Sequence, residues 1–245
     1  MINENNRIGE ERVMNCGMKA KIIAYKNYKD IDIQFEDGYI RKHTNYKNYI
    51  NGRIKNLYIP ILYGIGYMGE ENGVDEDGKR LKSYNVWSNM LSRCYNKKAK
   101  DYKNYGGRGV SVCEEWHNYS NFKKWYDKHI YKIEGDVVHL DKDILIEGNN
   151  IYSPDTCIFV PRRINYLFEK LYDKELGVCW HKNRNKYIAQ INIDGKPVFL
   201  GYYDNIEEAK ESYSIAKNCE IKRMIEVYKD KIPNYIYNIL LNKIN

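Results

Sequence analysis

The sequence predicts an α+β fold, because stretches with a period of two and stretches with a helical period follow one another along the chain. Apolar and polar residues alternate from Ile31 to Phe35, as in a half-buried strand, while apolar residues recur at helical spacing from Val86 to Cys94. The dipeptide Asp194-Gly195 separates two further strand-like runs and is a strong hairpin signal. We therefore expect a small antiparallel β unit (residues 1–63), a central ββα module with helices (79–172), and a three-stranded sheet plus helix (173–245).

The composition is that of a folded protein of two or three domains, with 245 residues of which 30% are charged and 43% hydrophobic. No run is long and apolar enough for a membrane span, and the polar stretch Met1–Glu11 excludes a signal peptide. Six cysteines without a C-x-x-C pair favour reduced thiols in a cytoplasm. Cys94, Cys113 and His117 have a spacing found in zinc sites, but both cysteines lie on apolar stripes, so no structural zinc is expected.

The first part of the chain predicts strands over Lys19–Lys26, Asp30–Glu36 and Tyr39–Lys42, with a turn at Asp37-Gly38. The segment Gly64–Gly78 is rich in glycine and acidic residues and has no periodicity. We expect a domain boundary within it.

A strongly basic segment follows this boundary. Nine basic residues and one acidic residue lie from Lys79 to Arg108, so this segment alone carries +8, against +7 for the whole chain. Such a run is compatible with a solvated face, but tyrosines interrupt it in the manner of a phosphate-contacting surface. The candidate DNA contacts here are Arg93, Lys97, Lys98, Lys100, Lys103 and Arg108.

The central module predicts a helix capped by Ser83, a tight glycine turn at residues 105–109, a strand over Val110–Cys113 and a helix from Ser120. Residues 137–168 then read as a strand (137–141), a polar loop, a second strand (156–160) and a helix that opens at Pro161. A strand, loop, strand and helix of this size is the order of a ββα-metal nuclease centre.

Aromatic, cysteine and glycine residues of this module form a string that reads Trp87-x-x-Met90-Leu91-x-x-Cys94-Tyr95, then Tyr105-Gly106-Gly107-Arg108-Gly109-Val110-x-Val112-Cys113-x-x-Trp116, then Phe122. Over residues 80–130 it resembles phage-encoded HNH-type and intron-homing endonucleases. The resemblance implies a phage protein in a bacterial host cell that cuts double-stranded DNA with a divalent metal, Mg²⁺.

The same resemblance implies roles for four residues. His139 matches the strand histidine that acts as general base, and Asn165 matches the helix residue that binds the metal. Asn150 lies in the loop of the family's middle asparagine, and Thr156 stands where the family has an asparagine that orients the histidine.

The sequence departs from the family at Val138, where a metal ligand is usual. The metal is then expected to be held by Asp141 or by His139 itself, and Asp141 lies two residues beyond His139 on the same strand face, which allows this geometry. The alternative is a scaffold without activity, in which residues 141–143 form a solvated turn.

The C-terminal part predicts strands over 177–182, 186–193 and 196–202, followed by a helix with a capping box at Asp204 and Glu207. Alternation buries Tyr187, Ala189 and Ile191 and turns the residues between them outward. Outward amide and basic side chains of a small sheet are suited to a DNA major groove. The candidate DNA contacts are His181, Lys182, Arg184, Lys186, Gln190, Asn192, Lys196 and Phe199.

Residues of this part are similar to the plant ethylene-response-factor (APETALA-type) domain, which also occurs in phage homing endonucleases. The matching residues are Gly177-Val178, Trp180, Ala189-Gln190-Ile191, the run Val198 to Asp204, and Glu207-Glu208-Ala209. The resemblance implies DNA contacts through the strands at Cys179, His181, Arg184, Lys186, Gln190 and Phe199. Cys179 replaces a family arginine and Gln190 a family glutamate, so the family's sequence preference does not transfer.

Three functions follow from these expectations. The preferred one is a metal-dependent DNA endonuclease. The alternatives are a DNA-binding factor without catalysis, regulatory or directed against host defence, and a protein-binding inhibitor of a nucleoprotein.

Overall fold

A computed structural model describes residues 7–171 and 177–244 of the chain. The chain divides into two compact units, one comprising residues up to Asn72 with Asn118–Ser120, and the other comprising Gly73–His117 with the residues from Asn121 onward. The division at residue 72 falls within the glycine-rich segment where a boundary is expected. The boundary predicted between residues 172 and 173 lies outside the described residues.

The first unit is a four-stranded antiparallel sheet in the order β1-β2-β3-β4. Its elements are β1 (Glu11–Val13), β2 (Lys19–Asn27), β3 (Asp30–Phe35), β4 (Ile40–Thr44) and the short helix α1 (Tyr46–Ile50). Ile22, Ile33 and Phe35 are buried on one face of the sheet. The three predicted strands are confirmed, and β1 and the helix are additions. The helix starts where the Asn45 side chain accepts a hydrogen bond from the Asn48 N–H.

The second unit contains the remaining elements, except that Tyr119 and Ser120 at the start of one helix belong to the first unit. The fold class is α+β as predicted. The remaining elements are α2 (Lys82–Tyr95), β5 (Ser111–Val112), α3 (Tyr119–His129), β6 (Val138–Asp141), β7 (Ile151–Tyr152), β8 (Ile158–Pro161), α4 (Arg162–Leu171), β9 (Val178–His181), β10 (Lys186–Ile193), β11 (Lys196–Tyr203), α5 (Ile206–Tyr228) and α6 (Asn234–Asn242). Strands β5 and β7 pair in parallel, β6 and β8 pair antiparallel, and β11-β10-β9 form an antiparallel sheet. None of the helices in the described ranges has the length and apolarity required to span a membrane.

Residues on the buried face of helix α2 hold it against the segment that contains Trp116. The Trp87 indole N–H donates to the Trp116 carbonyl over 2.7 Å, and both rings are fully buried. Ser83 does not cap this helix as predicted, because Leu81 is the N-cap residue and Ser83 is buried in the first turn. The glycine turn that follows packs closely on the helix end, since a Cβ at Gly106 would lie 1.9 Å from the Cys94 carbonyl oxygen.

The central module and the C-terminal helices share one hydrophobic core. Ile158, Ile164 and Phe168 from β8 and α4 are buried together with Ile225 from α5 and Leu240 from α6. The residues predicted as two domains, 79–172 and 173–245, therefore belong to one compact unit. The physical reason is the length of α5, whose first half covers the C-terminal sheet while its second half completes the core beneath α4.

A two-residue turn sets the register of the hairpin formed by β10 and β11. Asp194 and Gly195 both have positive φ angles, +49° and +81°, as a type I′ turn requires. Arg223 from α5 binds the Asp194 carboxylate at 2.9 Å. The predicted hairpin is confirmed, with Ile193 paired to Lys196 directly across the turn.

Helix α5 is capped by Asn205, and not by Asp204 as predicted. The Asn205 side chain accepts a hydrogen bond from the Glu208 N–H at 2.8 Å, whereas Asp204 forms an exposed ion pair with Lys186. We expect Asn205→Ala to lower the free energy of unfolding by about 1 kcal/mol. Asp204→Ala is the matched control and should cost less than about 0.5 kcal/mol. Urea unfolding followed by far-UV circular dichroism measures both, and equal losses would contradict the assignment of the cap.

Candidate nucleic-acid interface and metal centre

The sheet β9–β11 has one face covered by α5 and one face that is open. Ala189 and Ile191 of β10 are buried against the helix side, while Gln190 and Asn192 between them are exposed, as the alternation predicts. Directly paired residues of antiparallel strands lie on the same face. The pairings therefore define the open face as Cys179, His181, Lys186, Ile188, Gln190, Asn192, Phe199 and Tyr202.

An aromatic cluster centred on Tyr202 occupies this open face. The Arg184 guanidinium lies 4.6 Å from the centroid of the Tyr202 ring, in cation–π geometry. The rings of Phe199 and His181 lie 4.9 Å and 5.4 Å from the same ring, and Phe199 is 55% exposed. The cluster thus presents a cation and a large exposed aromatic surface side by side.

Sequence reasoning missed Tyr202 because of a β-bulge. Gln190 pairs with Phe199 and Ala189 pairs with Gly201, so Leu200 is an extra residue in β11. Simple alternation places residues 199 and 202 on opposite faces, and the bulge brings both to the open face. The sequence signal for such an irregularity was the glycine within the strand, Gly201, which has a φ angle of +156° in the structure.

The other predicted contacts in this region lie around the open face. Lys182 and Arg184 are exposed in the turn between β9 and β10, and Lys196 is exposed beside the hairpin turn. Lys186 is held by Asp204 at 3.0 Å. The Nδ1 atom of His181 is buried and has no hydrogen-bond partner among the described residues. A ring of basic side chains therefore borders the amide and aromatic groups.

The basic loop, residues 96–109, follows α2. Its five predicted DNA contacts, Lys97, Lys98, Lys100, Lys103 and Arg108, are exposed, and none forms an ion pair with a described residue. Arg93 differs from them because its side chain is turned inward. Its guanidinium lies 3.4 Å from the Tyr105 hydroxyl and 5.9 Å from the centroid of the Tyr152 ring. Arg93 was predicted as a DNA contact together with the loop residues, whereas in the structure it lines a cavity next to His139.

Two adjoining cavities surround the candidate catalytic histidine. Strands β6 and β8 pair with His139 opposite Val160, and α4 follows β8 directly, so the ββα order is present. His139 and Asn165 line both an inner cavity of about 280 Å³ and an outer cavity of about 540 Å³. Asp141 and Arg93 line the inner one. The structure thus brings together His139, Asp141 and Asn165.

Asn150 and Thr156 do not join this group. The Thr156 hydroxyl is buried and donates to the Ile151 carbonyl at 2.8 Å, which closes the turn before β8. The exposed Asn150 accepts from the Ser111 N–H through its backbone carbonyl at 2.8 Å. Neither residue contributes to the described lining of the two cavities. Thr156 is therefore not found in the predicted position that orients His139, and Asn150 lies in the predicted loop without lining either cavity.

Asp141 has a structural role in addition to its place in the inner cavity. Its Oδ1 atom accepts hydrogen bonds from the N–H groups of Asp143 and Ile144 at 2.8 and 2.7 Å. Lys142 is buried as well, and its ammonium group donates to the Asn149 carbonyl and to Asp143, each at 2.6 Å. The alternative of a solvated turn at residues 141–143 is therefore wrong for Asp141 and Lys142, each only 7% exposed.

The side chains around His139 are suitable ligands for a hard divalent cation. Asp141 and Asn165 offer one carboxylate and one amide oxygen, the ligand types that suit Mg²⁺, an ion that binds few protein ligands and keeps several waters. Cys94, Cys113 and His117 do not form a cluster of potential metal ligands among the described residues, and Cys94 is buried. His117 is also engaged, with Nε2 3.0 Å from the Val112 carbonyl oxygen.

A second cluster of potential ligands lies in the first unit. Among the described residues, Asp30, Asp32 and His43 bring their ligand atoms within 4.8 Å of one another. The Lys26 ammonium group lies 2.9 Å from Asp30, and the His43 ring lies 3.0 Å from it. This lysine ion pair compensates part of the negative charge, which weakens the attraction of the cluster for a cation.

Searches against protein-family models, curated proteins and solved structures found no match to this chain. The resemblances to HNH-type and ethylene-response-factor proteins therefore remain those of the motif residues.

Proposed function

We propose that this protein binds double-stranded DNA through the open face of the sheet β9–β11. The observation that supports this most directly is the cluster of Arg184, Tyr202 and the exposed Phe199, flanked by the exposed amides of Gln190 and Asn192. A large aromatic surface is unfavourable to expose to water and can be buried against DNA bases. The neighbouring cation and amides can bind phosphates and base edges.

Each group on the open face has a counterpart in a DNA major groove. Gln and Asn side chains pair with the edge of adenine, Arg pairs with guanine, and Phe contacts the methyl group of thymine. Lys182 and Lys196 at the rim are suited to the phosphates on either side of the groove. The exposed cations of the basic loop supply further phosphate contacts, which increase affinity without reading sequence.

The test compares Arg184→Ala with Lys222→Ala. Lys222 is exposed on α5, so both variants remove one positive charge from the same unit. In fluorescence anisotropy with a labelled duplex of mixed sequence, Arg184→Ala should raise the Kd about 10-fold. Lys222→Ala should change the Kd less than about two-fold. Absence of salt-sensitive affinity of the wild-type protein for any duplex, or equal losses in the two variants, would overturn the proposal.

A second candidate function, hydrolysis of the bound DNA, is favoured by the cavities around His139. A divalent cation bound there would stabilise the charge that develops on the phosphate and on the leaving oxygen. Asp141 and Asn165 would hold the ion, and His139, exposed on β6, would accept the proton of the attacking water. Arg93 would face the phosphate from the inner cavity, with its guanidinium supported by the phenol rings of Tyr105 and Tyr152.

A further inference from the structure

The outer cavity beside His139 adjoins a third cavity. Arg163 and Tyr166 line both the outer cavity and a larger one of about 730 Å³, which we call the hairpin cavity. The hairpin cavity is bordered by Asn192, Asp194 and Pro197 at the end of the sheet β9–β11. The surface that these two neighbouring cavities form along α4, between His139 and the hairpin, is called the groove.

Helix α4 presents a cationic face to this groove. Ile164 and Phe168 are buried in the shared core, which leaves Arg162, Arg163 and Tyr166 exposed on the other side of the helix. Neither arginine forms an ion pair with any residue in the described parts of the chain. Basic side chains interleaved with an aromatic ring are typical of grooves that follow a nucleic-acid backbone.

The carboxylates along this groove are only partly compensated. Asp194 and Glu220 in the hairpin cavity share one cation, Arg223, at 2.9 and 2.7 Å. In the outer cavity, Asp136 accepts a hydrogen bond from the Tyr228 hydroxyl, a neutral donor. Arg162 and Arg163 of α4 therefore offset the negative charge that remains, and we expect a phosphate chain to follow their side of the groove.

We infer that the exposed face of α4 binds one DNA strand between the open face and the His139 centre, so that both sites act on a single continuous stretch of DNA. The inference rests on the proposed DNA binding. It adds that Arg163 contacts a phosphate and that the Tyr166 ring lies against the sugar or base of the same strand. The DNA sequence recognised by the sheet and the position of the cut are then separated by a fixed distance.

Site-specific photo-crosslinking tests this contact. Tyr166 is replaced by p-benzoylphenylalanine in the full chain, and Tyr235, an exposed tyrosine on α6 outside the groove, receives the same replacement as the control. With an end-labelled duplex of mixed sequence at low salt, position 166 should crosslink to DNA and lose the crosslink at high salt. Position 235 should give no product above that of an unirradiated sample.

A second variant provides an independent measurement. Arg163→Gln should raise the Kd for the same duplex about three- to ten-fold and reduce the salt slope by about one, whereas Lys222→Gln should change neither. If the wild-type protein binds the duplex but position 166 gives no crosslink and Arg163→Gln keeps the full salt slope, the inference is overturned while the proposed function stands. If the wild-type protein binds no duplex, both fail.

Discussion

His139→Ala is expected to abolish metal-dependent nicking of supercoiled plasmid while leaving DNA binding intact. A positioned general base contributes about 10²- to 10⁴-fold to a rate, and no other imidazole lines the inner or outer cavity in the described structure. His139 is not one of the exposed Lys and Arg side chains that are expected to contact phosphates, so the Kd for a duplex should stay within about two-fold of the wild-type value. The measurement is the rate of conversion of supercoiled to relaxed plasmid with and without Mg²⁺.

His43→Ala is the matched control, because it removes the histidine of the other ligand cluster, in the first unit. Its nicking rate should equal that of the wild-type protein. Loss of nicking in this variant alone would place the metal centre at Asp30, Asp32 and His43. A wild-type protein that binds DNA but does not nick it with any divalent ion would favour the non-catalytic DNA-binding factor, and one that binds no DNA would favour the inhibitor.

Ile225→Ala is expected to lower the free energy of unfolding by about 2–5 kcal/mol, the range for removing a buried isoleucine from a close-packed core. Ile225 is fully buried on α5 among residues of β8 and α4, so the loss affects the central module and the C-terminal helices together. All four tryptophans lie in this second unit, three in the central module and Trp180 in β9. Urea unfolding followed by tryptophan fluorescence therefore reports on this unit alone.

Ile215→Ala serves as the comparison, since Ile215 lies on the same helix and is 59% exposed. It removes the same atoms but creates no cavity, so it should change stability by about 0.5 kcal/mol or less. Losses of similar size in the two variants would show that the end of α5 is not part of the shared core. A transition that splits in Ile225→Ala, with Trp180 unfolding separately, would contradict the single unit.

The elements with a short sequence period were predictable, and the contacts between distant elements were not. The strands β2, β3, β10 and β11 follow from alternation that one buried face imposes locally. Ile158 and Leu240 are buried in the same core although they are far apart in the sequence. No local pattern predicts which helix packs against which strand or helix. The domain division expected within the second unit came from the two motif resemblances, whereas the contacts of α5 determine the compact unit.

In the candidate site too, the sequence predicted the elements that hold the residues but not the contacts of each side chain. The positions of His139 and Asn165 followed from the motif order, because the strand and helix that hold them are continuous. Thr156 was predicted beside His139 by its place in the motif, but its hydroxyl has a nearer acceptor in the Ile151 carbonyl. Arg93 was predicted as a surface contact, and only the packing of Tyr105 and Tyr152 around it reveals its inward direction.

The two positive φ angles at Asp194 and Gly195 have a consequence for recognition. A strand that slips by one residue exchanges its two faces. If the hairpin closed one residue earlier or later, Ala189 and Ile191 would meet the solvent and Gln190 would point at α5. The turn at Asp194 and Gly195 therefore determines which side chains of β10 lie on the proposed DNA-binding face, and it need not contact DNA itself to do so.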